Sequence, residues 1–252
     1  MNTIYLNFAF VSYLILYFCS VNSIFLHTVK QRFIFLLSLF ILISCAEKKT
    51  PPQQTFLALG DSYTVGIGVD QSESWPFQLV KKLAAESIII APPRVIAENG
   101  WTTIDLKKAI DEAALDFPYD WVSLLIGVNN QYDGKSIAAF QIEFEQLLSQ
   151  AILFAGSKKE NVFVISIPDW GKTPFAKERD REQIALEIDN FNQVIYEQCI
   201  RVGVAFIDIT PLSRTIDTHP AFIAEDGLHP SGQQYKAWID EIVPFFINQK
   251  NE

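Results

Sequence analysis

From residue 55 onward, short apolar runs alternate with amphipathic stretches. Thr55–Leu59 reads as a first strand. Ser74 opens a helix with Pro76 in its first turn, running to about Glu86. Arg94–Ala97 reads as a second strand, ending at Glu98-Asn99-Gly100. Thr102 and Thr103 are candidate caps for a helix through Ala114, with Asp105 near its positive end. Trp121–Ile126 is the third strand, closed by Gly127. A long helix follows from Ser136 to near Gly156. Asn161–Ile167 is the fourth strand, closed by Pro168. Lys177–Val202 reads as helix, Ala205–Ile209 as the fifth strand, and Ser231 caps a last helix towards Ile247.

Strands that alternate with helices predict an α/β fold, a parallel sheet covered on both faces. The near-continuous apolar runs Val122–Ile126 and Val162–Ile167 fit strands buried on both sides. In such sheets, sites form beyond the carboxyl ends of the strands. Gly60-Asp61-Ser62, Asn99-Gly100, Gly127-Val128-Asn129-Asn130 and the loop from Pro168 all follow strand ends, and are expected to converge on one face.

The first 45 of the 252 residues follow a different pattern. They contain no acidic residue and two basic ones, Lys30 and Arg32. Lys30-Gln31-Arg32 precedes the apolar run Phe33–Ile43 and then Ser44-Cys45, the layout of a signal segment. Leu42-Ile43-Ser44-Cys45 resembles the lipobox of bacterial lipoproteins. That resemblance implies cleavage before Cys45, lipid on its thiol and an extracytoplasmic, membrane-anchored domain. Residues 46–54 are then a polar tether, and 55–252 the folded domain. Upstream, Ile4–Leu26 is long enough to span a bilayer but carries several polar residues. Two readings stand: a first membrane span, or a mis-assigned start with the true one near Val29. Met1 is the only methionine, so the second reading needs a non-ATG start codon.

Charge narrows the partners. The whole chain carries a formal −9, and setting aside Lys30 and Arg32 leaves −11 for residues 46–252. So acidic a domain argues against nucleic acid as partner. About 200 residues suit one domain with a sizeable core. Neither zinc-type Cys/His spacing nor a phosphate-binding glycine loop is present. Three cysteines make no disulfide framework, and Cys199 falls in a helical pattern as a buried side chain.

The candidate chemistry is nucleophilic. Ser62 ends the run Phe56-Leu57-Ala58-Leu59-Gly60-Asp61, just past the first strand. A serine hydroxyl needs a base, and after residue 45 the histidines are His219 and His229. Asp226-x-x-His229 can fold as one turn in which the carboxylate orients the imidazole. Asp217-x-His219 competes, but His229 is preferred because it directly precedes the final helix. Acyl transfer also requires donors for the developing oxyanion. The N–H of Ser62, the N–H of Gly100 and the amide of Asn129 are available. Taken singly, Gly100 and Asn129 are ordinary turn residues. Trp101, Tyr132 and Trp170 are candidate substrate-pocket residues. Trp170 fits loop packing equally well, and Phe175 reads as packing.

Taken together, these residues resemble the SGNH hydrolase superfamily, also called GDSL esterases and lipases. Gly60-Asp61-Ser62-Tyr63, Gly100, Gly127-Val128-Asn129-Asn130 and Asp226-Gly227-Leu228-His229-Pro230 match four of its blocks in order. Tyr63 stands where leucine is frequent, and Asn130 where aspartate is usual. The resemblance implies a flavodoxin-like α/β/α sandwich on a five-stranded parallel sheet, and a serine esterase needing no metal or other cofactor. It implies that Ser62 attacks, His229 relays the proton, Asp226 orients it, and Ser62, Gly100 and Asn129 hold the oxyanion. Asp61 is then structural. Lipid, small-molecule and acylated-glycan esters are all compatible substrates, by lysophospholipase-, thioesterase- or deacetylase-like action. An acyltransferase, or a binding lipoprotein without catalysis, are the rival readings.

Overall fold

The structure, a computed structural model, describes residues 53–250. The expected signal segment, Cys45 and most of the tether lie outside the described residues.

Five strands are present: β1 (Phe56–Gly60), β2 (Arg94–Ala97), β3 (Trp121–Leu125), β4 (Val162–Ile165) and β5 (Ala205–Ile207). The helices are α1 (Ser62–Val65), α2 (Trp75–Ala85), α3 (Thr103–Glu112), α4 (Val128–Tyr132), α5 (Ile137–Phe154), α6 (Arg181–Val202), α7 (Thr210–Ser213) and α8 (Gly232–Lys250). All neighbouring strands run parallel, in the order β2-β1-β3-β4-β5. The order reverses between β1 and β3, so the loops after these two strands part and leave a crevice.

β1, β3 and β4 are buried along their whole length, as their near-continuous apolar runs require. α2 and α8 pack together over an aromatic layer. There Phe56, Trp75, Phe163 and Phe246 lie with ring centroids 5.5–6.3 Å apart. On the other side α3, α5 and α6 pack in sequence, with Phe140 and Phe144 of α5 in one aromatic cluster with Phe191 of α6. Cys199 is buried on α6, and burial pushes its thiol up to about 12.

Local signals place the helix starts. The Asp105 carboxyl accepts from Thr102 N and Thr102 Oγ1 at 2.9 and 2.6 Å, fastening the start of α3. Those bonds from the Thr102 side chain and backbone hold its carboxyl below the usual range. Ser136 accepts from Ala139 N, and Ser231 from Gln233 N and Gln234 N. Several boundaries shift by a few residues, among them β4, which is Val162–Ile165 rather than Asn161–Ile167, and two of the shifts have a visible cause. α6 starts at Arg181 rather than Lys177, because the Asp180 side chain caps Gln183 N at 3.0 Å. β5 stops at Ile207, because Asp208 turns the chain by accepting from Thr210 N.

Candidate active site

The loops after β1, β3 and β4 and the turn before α8 meet at the carboxyl end of the sheet. They enclose a cavity of about 200 Å³, lined by Ser62, Asn129, Tyr132, Trp170, Phe175 and His229 together with Tyr63, Asn99, Val128 and Leu228.

Asp61 caps α1 and accepts from Tyr63 N at 3.1 Å, which turns the chain sharply out of β1. Ser62 is the first residue of α1, so its N–H has no intrahelical partner. The Asp61 side chain is fully buried. Desolvation pushes its carboxyl up to about 8, against backbone hydrogen bonds from Tyr63 and from Asp61 itself. Tyr63 lies beneath the histidine, with ring centroids 5.4 Å apart.

The Asp226–His229 turn is held by its own carboxylate. Asp226 Oδ1 accepts from Leu228 N and His229 N, both at 2.9 Å. Asp226 Oδ2 pairs with His229 Nδ1 at 2.6 Å. A proton on Nδ1 leaves Nε2 as the basic nitrogen. The imidazole is buried, whereas the carboxylate is about one third exposed. Burial pushes Asp226 up, but hydrogen bonds from the His229 ring and from Leu228 N and His229 N outweigh it and hold the carboxyl below its usual value. Two other segments brace this turn. Phe175 N donates to Gly227 O at 3.0 Å. Gly68, at φ +88°, brings the loop after α1 so near that a Cβ there would lie 3.3 Å from Asp226 Oδ2.

Asn129 Nδ2 donates to Trp101 O at 2.9 Å, which leaves its second hydrogen free. Gly100 adopts φ +81°, and a Cβ on it would meet nothing within 4 Å. Its glycine is therefore required by backbone conformation. Trp101 does not line the cavity: it is partly buried against the core and offers its carbonyl to Asn129. Tyr132 and Trp170 do line it, and Phe175 joins them. The three rings lie with centroids 5.3–6.4 Å apart. Trp170 is buried, and its indole N–H is taken by Gln131 Oε1 at 2.7 Å, so the ring presents carbon to the cavity. Tyr132 and Phe175 each keep 46 % of their surface exposed.

His219 lies elsewhere, stacked on Phe222 and bonded to Thr218 Oγ1. Several contributors went unmarked in the sequence. Gln131 holds Trp170, Asp169 caps the loop at Gly171 N and pairs with Arg214, and Gly68 packs on Asp226. Of these, only Gly68 carried a local signal, in the glycine-rich Gly66-Ile67-Gly68 that follows α1. Among the described residues, no group of three or more His, Cys, Asp or Glu side chains could hold a metal ion. None of the described helices is long and apolar enough to cross a membrane.

A parallel doubly wound sheet with a serine at the turn after β1, facing an Asp–His turn across a crevice, defines a hydrolase-type α/β protein. Residues 58–237 match the GDSL-like Lipase/Acylhydrolase family, and the chain belongs to that family, whose members hydrolyse ester bonds. It is 26% identical over 142 residues to an acetylxylan esterase of Geobacillus stearothermophilus. That match takes in 53% of this chain and 62% of the relative, so the chain spans less than two thirds of the relative's length. Solved structures share the fold. The lipase/acylhydrolase from Enterococcus faecalis is 23% identical, with a TM-score of 0.59, covering 76% of this chain and 94% of its own. The psychrotrophic esterase EstA from Pseudoalteromonas is 17% identical, with a TM-score of 0.59, covering 79% and 100%. The acetylxylan esterase Axe2 from Geobacillus stearothermophilus is 20% identical, with a TM-score of 0.55, covering 76% and 93%.

Proposed function

We propose that this protein is a serine carboxylesterase that removes short acyl groups, acetyl foremost, from ring-bearing alcohols such as sugars. One observation carries the reading: Ser62, Asn129 and the Asp226-paired His229 line a single cavity. In the proposed mechanism Ser62 Oγ attacks the ester carbonyl and passes its proton to His229 Nε2. Asp226 steadies the imidazolium. The N–H groups of Ser62 and Gly100 and the Asn129 amide take the charge on the carbonyl oxygen. His229 then protonates the leaving alcohol, and the Ser62 acyl-enzyme remains. Water, deprotonated by His229, releases the acid and restores Ser62.

Size and lining support the substrate class. A cavity of about 200 Å³ is small beside the roughly 300–1,000 Å³ of pockets that take drug-sized ligands. That suits a short acyl group and part of its alcohol, and is too small to enclose a long fatty chain. Tyr132 and Phe175 offer half-exposed rings at the cavity, surfaces on which a sugar face can pack. The similarity to an acetylxylan esterase points the same way.

A fluorophosphonate probe and a panel of p-nitrophenyl esters from acetyl to palmitoyl, beside acetylated oligosaccharides, test this. The expected result is labelling that Ser62→Ala abolishes, and kcat/KM that falls with chain length. Full activity of Ser62→Ala would reject the mechanism, and a preference for palmitoyl would reject the substrate class.

The lipobox-like Leu42-Ile43-Ser44-Cys45 supports a second part of the proposal, that the enzyme is a lipoprotein anchored outside the cytoplasm through Cys45. A mature protein whose intact mass begins upstream of Cys45 would overturn it.

A further inference from the structure

Two of the proposed oxyanion donors come from different loops: Gly100 follows β2 and Asn129 follows β3. Their separation must be held to within a fraction of an ångström for both to reach one oxygen. The structure ties the loops together with consecutive asparagines. Asn129 Nδ2 donates to Trp101 O at 2.9 Å. Asn130 Oδ1 accepts from Thr103 N at 3.0 Å, and Asn130 Nδ2 donates to Thr103 Oγ1 at 2.6 Å. Residues 101–103 directly follow Gly100, so this grip sets where the Gly100 N–H stands relative to the Asn129 amide.

Hydrogen-bond accounting extends the grip to a residue outside the cavity. Asn130 and Thr103 are both buried, so each polar atom there needs a partner. The oxygen of Asn130 faces Thr103 N, and its amide nitrogen, not its oxygen, faces Thr103 Oγ1. Its amide hydrogens must donate, and Thr103 Oγ1 receives one. The Thr103 hydroxyl must then place its own hydrogen elsewhere, and it donates to Glu143 Oε2 on α5. Asn130 Nδ2 reaches the same oxygen at 3.3 Å. An aspartate at 130, the usual residue of this block, would accept from both the N–H and the hydroxyl of Thr103 without help. With asparagine at 130, the acceptor has to come from another element.

We propose that Glu143 is a positioning residue for catalysis. It completes the Asn130–Thr103 clasp that registers Gly100 against Asn129, and so takes over what an aspartate at 130 would do. This rests on the reading of Gly100 and Asn129 as oxyanion donors. Four variants assayed on p-nitrophenyl acetate test it, with thermal unfolding midpoints measured alongside. Glu143→Ala lowers kcat about ten- to hundredfold with KM unchanged, the signature of a misplaced donor. Glu143→Gln keeps an acceptor oxygen for Thr103 and retains most of kcat. Asn130→Asp alone also lowers kcat, because two carboxyl groups then compete for one hydroxyl hydrogen. Combined with Glu143→Ala, however, it restores kcat.

That reversal of sign is what a merely structural contact would not produce. Unchanged kcat in Glu143→Ala, or a double variant no better than Asn130→Asp alone, overturns the proposal. Should Glu143→Ala fail to fold, the comparison of Asn130→Asp with the double variant decides it. Asn129→Ala separates the two levels. Loss of about 10²–10³ in kcat there alongside an unaffected Glu143→Ala rejects the clasp alone. Full activity of Asn129→Ala rejects the oxyanion reading beneath it.

Discussion

Replacing Asp226 by asparagine separates the two duties of its carboxylate. In the native turn Oδ1 accepts from Leu228 N and His229 N, while Oδ2 pairs with His229 Nδ1 at 2.6 Å. Asparagine keeps an oxygen for the two backbone donors, so the turn persists. Its amide nitrogen faces Nδ1 with hydrogens of its own, which drives the ring proton to Nε2. The nitrogen meant to take the Ser62 proton is then already occupied. In a Ser-His-Asp arrangement this exchange costs about 10⁴-fold in kcat, or ~5.4 kcal/mol at ~1.36 kcal/mol per tenfold. A purely structural carboxylate, with its cap kept by the asparagine oxygen, would instead leave turnover alone. The assay is kcat of Asp226→Asn on p-nitrophenyl acetate beside its thermal midpoint. A loss of three to four decades at a near-native midpoint is expected. A kcat within tenfold of wild type refutes the reasoning. Acid unfolding gives a second readout. The Asp226 carboxyl is held below its ordinary 3.8, so the stability it contributes is present above that pH and lost as the pH falls through the native value. The asparagine variant lacks that loss.

Three further outcomes are expected. The Asp61 carboxyl stands at about 8, so the native state keeps a proton that the unfolded chain releases. Stability therefore declines as the pH rises from about 4 towards 8. Asp61→Asn flattens that decline in urea unfolding at pH 5 and 8, and an unaltered slope counts against it. A Cβ at Gly60 would lie 2.1 Å from Thr64 Oγ1 and 2.6 Å from Leu125 O. Gly60→Ala should therefore lose at least about 1–3 kcal/mol of unfolding free energy, and a neutral result would contradict the tight turn. Tyr132→Ala and Phe175→Ala should each raise KM for an acetylated oligosaccharide more than for ethyl acetate, with kcat less affected. Equal shifts on both esters would remove the rings from alcohol recognition.

The strands were legible because parallel strands buried on both faces leave near-continuous apolar runs, and Val122–Leu125, broken by Ser123 alone, and Val162–Ile165 are such runs. Long helices announced themselves through caps such as Ser136 and Ser231. The four-residue α1 and five-residue α4 did not, since one turn holds no period to read. The residues of the cavity were legible by type and order, because Ser62, Asn129 and His229 each follow a strand end or precede a helix. Trp101 and Phe175 exchanged the places expected of them. An aromatic ring in a loop faces core or cavity according to tertiary packing, which a single sequence does not encode locally. The partners of Asn130 were hidden for the same reason. Thr103 and Glu143 lie 27 and 13 residues away, on separate helices.

The bond from Phe175 N to Gly227 O means that one segment serves two masters. Its side chain shapes the room the substrate enters, while its backbone steadies the loop bearing the imidazole. Attempts to retune selectivity by grafting residues 173–176 from another esterase would disturb turnover as well. Changes confined to the ring of residue 175, with the main chain untouched, are the way to alter preference while sparing rate.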